Sequence, residues 1–357
     1  MSALPHVLNH EELAAFLAQA GATSDFAEDV LEKDLWVVWC LQALFSDPTL
    51  AAQLSFKGGT SLSKAYGAIT RFSEDVDLTI DYRVFDDPFD PFAETSTTPS
   101  RNKIKAFRER VEGDHVPHFN RNSILPRLQA FAQETLDERR QPVIELGEGA
   151  DKVIVTYPNV SAAHGYLKEG VLLEFGGRMG IEPCEPIAVT TYLEDELPAL
   201  QGAVTFPIAT PQVLHGARTF WEKVTAVHAF ITRNNAAEHF RGGRHEARSE
   251  SRHWYDVNAL YQHPRLGREV LARTDLRDLV IRVKQQQFAI GGVDYEACGR
   301  GGVRLVPQGD LRAAVLADYE IMQERGMFRE SDPPPNFDDL MTKMQELEDV
   351  LNTLPHT

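Results

Sequence analysis

Two acidic residues stand two positions apart in the segment EDVDLTIDY, at Asp75 and Asp77, shortly after a Gly-Gly-Thr-Ser turn at residues 58–61. The alternation of this segment predicts a strand with both aspartates on one face and aliphatic residues on the other. At about 3.3 Å per residue, the two carboxylates lie about 6.6 Å apart along the strand and can converge on one or two divalent cations. A solvated strand face carrying scattered acids is the plain alternative, and it is common in acidic proteins.

The glycine turn precedes a Ser-Lys pair, an order that suggests a P-loop at first sight. Counting the pattern G-x-x-x-x-G-K-[ST] from Gly58 puts Ser63 where the second glycine belongs and Ala65 where the magnesium-binding hydroxyl belongs. The spacing therefore excludes a P-loop. We interpret the turn as the start of a short helix whose first N–H groups bind an anion, with hydroxyl donors at Thr60 and Ser61.

An anion-binding turn and a divalent-metal face, joined by one short helix, are suited to a metal-bound triphosphate. Magnesium prefers oxygen ligands, and a third carboxylate from a neighbouring strand would add one. Glu174 in VLLEFGGR is the best-placed candidate, although it also fits an edge-strand residue facing water. Lys57 and Lys64 flank the turn, and either can contact phosphate.

The turn, the D-V-D-L strand and the later strand acid resemble the DNA polymerase β-type nucleotidyltransferase fold. A longer series of segments over about residues 32–262 resembles one branch, the AbiEii/AbiGii toxin family, the nucleotidyltransferase half of bacterial type IV toxin-antitoxin and abortive-infection systems. The segments that carry this resemblance are EKDLWV, FKGGTSLSKAYG, RFSEDVDL, LLEFGGR, WEKVTA and RHWYDVNAL.

The resemblance implies a set of site residues by position. The triphosphate would be held by Gly58, Gly59, Thr60 and Ser61, together with Lys223; two magnesium ions would be bound by Asp75, Asp77 and Glu174; and the catalytic set would be completed by Lys223 and Asp256. Lys57 is added to the triphosphate ligands for its position beside the turn. Physically, Lys223 can neutralise the γ-phosphate, and Asp256 can orient Lys223 or Arg252. Lys223 also fits an ordinary surface position on an amphipathic helix.

The reaction implied is transfer of a nucleoside monophosphate from an NTP to an acceptor hydroxyl, with release of pyrophosphate. The resemblance suggests the 3′ end of an RNA such as tRNA as acceptor, and a cognate antitoxin as partner. An arginine-rich loop could contact phosphates or be simply solvated; its arginines are Arg241, Arg244, Arg248 and Arg252. The alternatives are a protein-NMPylating enzyme and a non-catalytic nucleotide-binding interaction module.

Composition limits the class of protein. The 357 residues carry 36 Lys and Arg against 53 Asp and Glu, a formal charge of minus 17 that argues against generic coating of nucleic acid. Three separated cysteines indicate neither a disulfide framework nor a zinc site. The sequence shows no signal peptide and no apolar run long enough to span a membrane, so we expect a cytoplasmic protein.

The periodicities predict an α+β fold, a sheet domain with flanking helices followed by a helical C-terminal domain. The resemblance implies that the sheet domain is a polymerase β-type nucleotidyltransferase domain with a mixed sheet. Residues 1–50 form N-terminal helices, 51–208 the nucleotidyltransferase domain with a helical insertion at about 84–141, 209–330 the helical domain, and 331–357 a linker and C-terminal helix. We expect strands at 152–158, 170–178 and 185–192, helices at 103–112, 123–140 and 211–233, and a last helix packed in the core rather than docking a partner.

Overall fold

The computed structural model describes residues 4–93, 99–161, 170–233, 250–324, 328–329 and 331–355. The chain forms two compact units, Met1–Ala65 with Ser73–Leu214, and Tyr66–Phe72 with His215–Thr357. The division falls after residue 214 rather than after 208, because residues 212–214 form a strand of the sheet. It also places residues 66–72 and the C-terminal helix in the second unit.

A mixed sheet of seven described strands forms the centre of the first unit, in the order β3-β4-β5-β2-β1-β7-β6. β2 pairs in parallel with β5, and β1 in parallel with β7, whereas the other neighbours are antiparallel. The α+β class is thus confirmed. The strands are β1 (Leu54–Lys57), β2 (Asp75–Ile80), β3 (Val143–Leu146), β4 (Lys152–Thr156), β5 (Val171–Gly176), β6 (Cys184–Pro186) and β7 (Gln212–Leu214).

Local sequence pattern missed two strands and lengthened a third. β3 is an edge strand whose Val143 is 57% exposed, so it shows little alternation of buried residues. β7 has only three residues and runs almost directly into a helix, and the helix predicted over 211–233 therefore included it. The strand predicted over 185–192 is only three residues long, Cys184–Pro186.

The helices of the first unit precede the sheet or lie between its strands in the chain. They are α1 (Leu13–Gly21), α2 (Glu28–Phe45), α3 (Pro48–Ala51), α4 (Gly58–Lys64), α5 (Arg101–Arg110), α6 (Val116–Phe119), α7 (Leu125–Thr135) and α8 (Tyr192–Glu196). The two helices predicted in the insertion are one continuous helical run from 101 to 135, with π-helical turns at 111–115 and 120–124. Each π-helical turn is followed by a segment with a proline in its first turn. Proline is tolerated at that position, and the helical run continues through both prolines.

Helix α2 lies in the interior, and every residue from 31 to 41 is buried. Its indole rings at Trp36 and Trp39 are at most 1% exposed and pack edge to face, with ring centroids 5.5 Å apart. A helix buried on all sides is expected to be apolar throughout. The three charged residues at its centre, 32–34, depart from that expectation.

The second unit is helical, as predicted. Its described helices are α9 (Gly216–Thr232), α10 (Arg252–Gln262), α11 (Leu266–Ala272), α12 (Thr274–Gln287), α13 (Gly309–Glu324) and α14 (Phe337–Asn352). Trp221 and Trp254 are fully buried, and each indole N–H donates to a backbone carbonyl. The predicted packing of the last helix in the core is confirmed by its buried side chains, Leu340, Met344, Leu347 and Leu351.

None of the helices in the described ranges has the length and apolarity needed to cross a lipid bilayer.

Candidate active site

The acidic residues predicted from sequence lie on one face of the sheet. In the parallel register of β2 and β5, Asp77 pairs with Glu174, and Asp75 pairs with Leu172. Paired residues of neighbouring strands share a face, and so do residues two apart along one strand. Asp75, Asp77 and Glu174 are therefore brought together, half-buried, on the face opposite the fully buried Val76 and Leu78.

A row of four charged residues crosses this face, one from each of four adjacent strands. Lys57 on β1 pairs with Asp77 on β2, Asp77 with Glu174 on β5, and Glu174 with Lys152 on β4. The Lys152 Nζ atom lies 2.6 Å from Glu174 Oε1. The row thus places two adjacent carboxylates between two lysines. Lys152 is absent from the sequence prediction, because only the register of β4 against β5 reveals its position.

Gly58 lies directly beside the Asp77 carboxylate. It joins β1 to α4 with a φ of 77°, a conformation that non-glycine residues rarely adopt. A Cβ atom built on Gly58 would lie 2.0 Å from Asp77 Oδ2. Both the backbone conformation and the space beside Asp77 therefore require glycine here.

The hydroxyls of α4 are bound to backbone carbonyls, which differs from the expectation that they would face a ligand. The Thr60 hydroxyl contacts the carbonyl oxygens of Ser73 and Asp75, and Ser61 Oγ donates to the Gly58 carbonyl at 2.9 Å. Thr60 and Ser61 are buried. The groups of residues 58–61 that remain suited to phosphate are the backbone N–H groups at the start of the helix.

Lys64, which the sequence left open as a phosphate ligand, takes part in the packing of the first unit. Its Nζ atom lies 2.6 Å from Asp34 Oδ1, and both side chains are buried. The ammonium also lies 3.4 Å from the centroid of the Tyr192 ring, a cation–π geometry. Burial raises the pKa of Asp34, and the charge of Lys64 opposes that rise.

The two predicted residues of the second unit, Lys223 and Asp256, form a buried ionic cluster with Arg71. The Arg71 guanidinium binds Asp256 with two hydrogen bonds, Nε to Oδ1 at 2.8 Å and Nη2 to Oδ2 at 2.7 Å. Lys223 Nζ donates to Asp256 Oδ2 at 2.8 Å. Sequence reasoning left Arg71 out of the site, because its partner lies 185 positions away in the chain.

Electrostatics in this cluster favour the carboxylate. Burial alone raises the pKa of Asp256, but the charges of Arg71 and Lys223 outweigh it, and the net pKa lies well below its usual range. Burial lowers the pKa of Lys223, and Asp256 opposes this, whereas the neighbouring Arg71 adds to it. Two cations share one carboxylate, so with Lys223 protonated the three side chains carry one excess positive charge.

Of the predicted acceptor-binding arginines, Arg252 is the first residue of α10 and is half-buried. The others, Arg241, Arg244 and Arg248, lie outside the described residues.

The donor set on the sheet face suits a hard divalent cation, because it consists of carboxylate oxygens. In the described part of the chain, no group of three or more His, Cys, Asp or Glu side chains is arranged to hold a metal ion. One oxygen of Glu174 accepts a hydrogen bond from Lys152 Nζ. Asp75 and Asp77, which share one face of the sheet, are the candidate ligands for such a cation.

A cavity of about 880 Å³ lies in the insertion, between residues 84–86, the helical run at 113–121 and the turn at 146–150. None of the predicted site residues lines it. We therefore do not assign it to the candidate active site.

A comparison with family models identifies the family of the chain. The family described as "Nucleotidyl transferase AbiEii toxin, Type IV TA system" matches residues 39–343. The chain belongs to the AbiEii family. The matched residues include the glycine turn, the three strand carboxylates, Lys223 and Asp256, and they extend about eighty residues beyond the C-terminal limit of the resemblance seen in the sequence. The chain is a nucleotidyltransferase, the toxin of a type IV toxin-antitoxin system, and its substrate is an NTP.

Among solved structures, this AbiEii-family chain is similar to MenT4, a nucleotidyltransferase toxin from Mycobacterium tuberculosis H37Rv. The two share 17% sequence identity over 96% of this chain and 90% of that chain, with a TM-score of 0.48. No curated protein matches the chain.

The contact between Gly58 and Asp77 predicts the effect of one added methyl group. We expect Gly58→Ala to lower nucleotidyl transfer by about a hundredfold, because misplacement of a reacting group by about 1 Å has that effect. Gly202→Ala is the matched control, since Gly202 has a φ of 81° and no atom within 4 Å of its added Cβ. Both variants should lose about 1–3 kcal/mol of unfolding free energy from backbone strain, measured in urea. Equal activity in the two variants would contradict the assignment of Asp77.

The buried cluster predicts a large loss of stability when its carboxylate is removed. Asp256→Ala leaves two buried cations without their carboxylate, and we expect a loss of about 3–5 kcal/mol in the free energy of unfolding. The Arg273–Asp275 pair has the same two bond lengths, 2.8 and 2.7 Å, but is exposed. Asp275→Ala should therefore cost only about 0–1 kcal/mol. Equal losses in the two variants would show that burial of Asp256 has no energetic consequence.

Proposed function

We propose that the chain transfers a nucleoside monophosphate from an NTP to the 3′-terminal hydroxyl of an RNA, tRNA included, in a magnesium-dependent reaction. The single observation that carries this proposal is the register of β2 and β5, which sets Asp77 beside Glu174 and on the same face as Asp75. Gly58, in the turn that we assign to phosphate binding, lies against the carboxylate of Asp77. Residues suited to the two ends of a metal-bound triphosphate are therefore adjacent within one unit.

On the phosphate side, we assign the β- and γ-phosphates to the backbone N–H groups at residues 58–61. These groups lie at the start of α4, where the helix leaves N–H groups without helical acceptors and favours an anion. The side chains of Thr60 and Ser61 hold the turn in shape instead of contacting the ligand. Lys57, half-buried beside Asp77 in the charged row, can add a positive charge to the phosphates.

On the carboxylate side, Asp75 and Asp77 would hold magnesium, with Glu174 as a third ligand or as the acceptor of the proton. Magnesium bound there would supply neutralisation of phosphate charge and a lower pKa for the acceptor hydroxyl. The acceptor oxygen forms a bond to the α-phosphorus, and the bond from that phosphorus to the oxygen bridging to the β-phosphate breaks. Pyrophosphate leaves, and the hydroxyl proton passes to a carboxylate such as Glu174 and then to water.

For the second unit, we propose that Lys223 binds phosphate and that Asp256 holds Lys223 in position. The support is the composition of the buried cluster, in which two cations share one carboxylate. An anionic ligand would balance the excess positive charge. Arg71, bound to both oxygens of Asp256, fixes the carboxylate that holds Lys223.

A cognate antitoxin is the partner that we propose for this toxin. We propose RNA as the acceptor because a chain of net negative charge needs a local group of positive side chains to bind RNA phosphates. Arg252 and the arginines near it in the sequence provide such a group. A protein hydroxyl as acceptor is the competing outcome of the experiment below.

The proposed reaction is tested by incubating the chain with magnesium, total cellular RNA, and each NTP labelled at either the α- or the γ-phosphate. We expect the α-label to enter RNA and the γ-label to appear only in pyrophosphate. Asp77→Asn should reduce transfer by at least about a hundredfold, since a catalytic metal ion lowers the barrier by several kcal/mol. Glu145→Gln, an exposed strand acid of the same sheet, should transfer at the wild-type rate.

Three results would contradict the proposal. Appearance of the γ-label in the acceptor would indicate phosphoryl transfer, and appearance of the α-label in protein would replace RNA as the acceptor. Full activity of Asp77→Asn, with Glu145→Gln behaving the same, would remove the strand carboxylates from the reaction.

A further inference from the structure

Three consecutive charged residues, Glu32, Lys33 and Asp34, are buried in the middle of α2, with exposed fractions of 0%, 1% and 1%. Successive residues of an α-helix point about 100° apart, so the three side chains reach three different parts of the first unit. They precede the family match, which begins at residue 39. They are also the first three residues of EKDLWV, one of the segments that carry the family resemblance in the sequence.

Lys33 reaches the beginning of the strand that carries the aspartates. Its Nζ atom lies 2.8 Å from Glu74 Oε2, and Glu74 directly precedes Asp75. The Thr60 hydroxyl contacts the backbone carbonyls of Ser73 and Asp75 in the same short segment. Residues 73–75 are thus held by α2 on one side and by α4 on the other.

Asp34 reaches the other half of the site. Asp34 Oδ1 lies 2.6 Å from Nζ of Lys64, the last residue of α4, and Oδ2 accepts from the Tyr192 N–H at 2.6 Å. The opposite end of α4 begins at Gly58, beside Asp77. The helix that offers its N–H groups to phosphate is therefore fixed at its far end by a buried ion pair.

Glu32 fixes a third segment. Its carboxylate accepts hydrogen bonds from the backbone N–H groups of Val160 and Ser161, at 2.9 and 2.8 Å.

Stability alone does not account for these charges. Burial of an ion pair costs about as much as the attraction returns, and apolar side chains of similar size often give an equally stable protein. What a buried ion pair does supply is a defined distance and direction between two elements. In α2 those elements are the strand of Asp75 and Asp77 and the helix of the glycine turn.

We propose that Lys33 and Asp34 are positioning residues for nucleotidyl transfer, Lys33 acting on the metal-binding strand and Asp34 on the phosphate-binding helix. The inference rests on the proposed function, because it assigns separate roles to the two sides of that site. It leads to separate kinetic consequences for the two pairs. Loss of the Lys33–Glu74 pair should alter magnesium dependence, and loss of the Asp34–Lys64 pair should alter NTP affinity.

The test uses double variants that remove both charges of a pair together. For Lys33→Met/Glu74→Gln, we expect the magnesium concentration for half-maximal activity to rise about tenfold or more, with little change in KM for NTP. For Asp34→Asn/Lys64→Met, we expect KM for NTP to rise about tenfold or more, with little change in magnesium dependence. Unfolding in urea should remain cooperative, with a midpoint near that of the wild type.

The charge-preserving variants Lys33→Arg and Asp34→Glu form a second pair of measurements, which covers failure of the double variants to fold. Each keeps its ion pair but changes its length, and each should shift the same parameter as its double variant by a smaller factor. Unchanged parameters in all folded variants, or parallel shifts of both parameters in every variant, would overturn the inference. Absence of transfer by the wild-type chain would instead remove the proposed function, and the inference with it.

Discussion

Two carboxylates stand side by side on one face of the sheet because β2 pairs in register with β5, and this constraint shapes the first unit. Like charges at neighbouring positions of paired strands repel each other. The structure places Lys57 and Lys152 at the two ends of the row that contains Asp77 and Glu174. Repulsion between the two carboxylates destabilises such a row. The same row places adjacent carboxylate oxygens, which suit a cation, beside a glycine turn.

The arrangement of that row depends on helices as well as on the strands that carry it. Gly58 leaves room for the Asp77 carboxylate, and Thr60 contacts the backbone at the start of β2. Helix α2 binds the same region through Lys33 and Asp34. In the second unit, Asp256 is held by two cations within its own interior. Both units thus use buried ion pairs where apolar side chains would serve for packing alone, and this fits elements that must be placed accurately.

The sequence was sufficient for features set by local pattern. The alternation around Asp77 predicted both the strand and the shared face, and helical periodicity predicted α2 and the buried last helix. Features that depend on pairing over long separations could not be read in this way. The register of β4 against β5 reveals that Lys152 lies beside Glu174, and the pairing with β1 reveals the strand β7. The contact with α2 reveals that Lys64 is buried in an ion pair. Local pattern also predicted that hydroxyls of α4 would face a ligand, whereas in the structure they are bound to backbone carbonyls.

The most direct test of this account is to locate the metal in crystals grown with manganese and a non-hydrolysable NTP analogue. Anomalous scattering from manganese identifies the ion without reference to activity. The account predicts manganese bound to the carboxylates of Asp75 and Asp77, with the analogue's phosphates at the backbone of residues 58–61. A bound analogue whose manganese is coordinated elsewhere in the chain, with both aspartates out of contact, would contradict it.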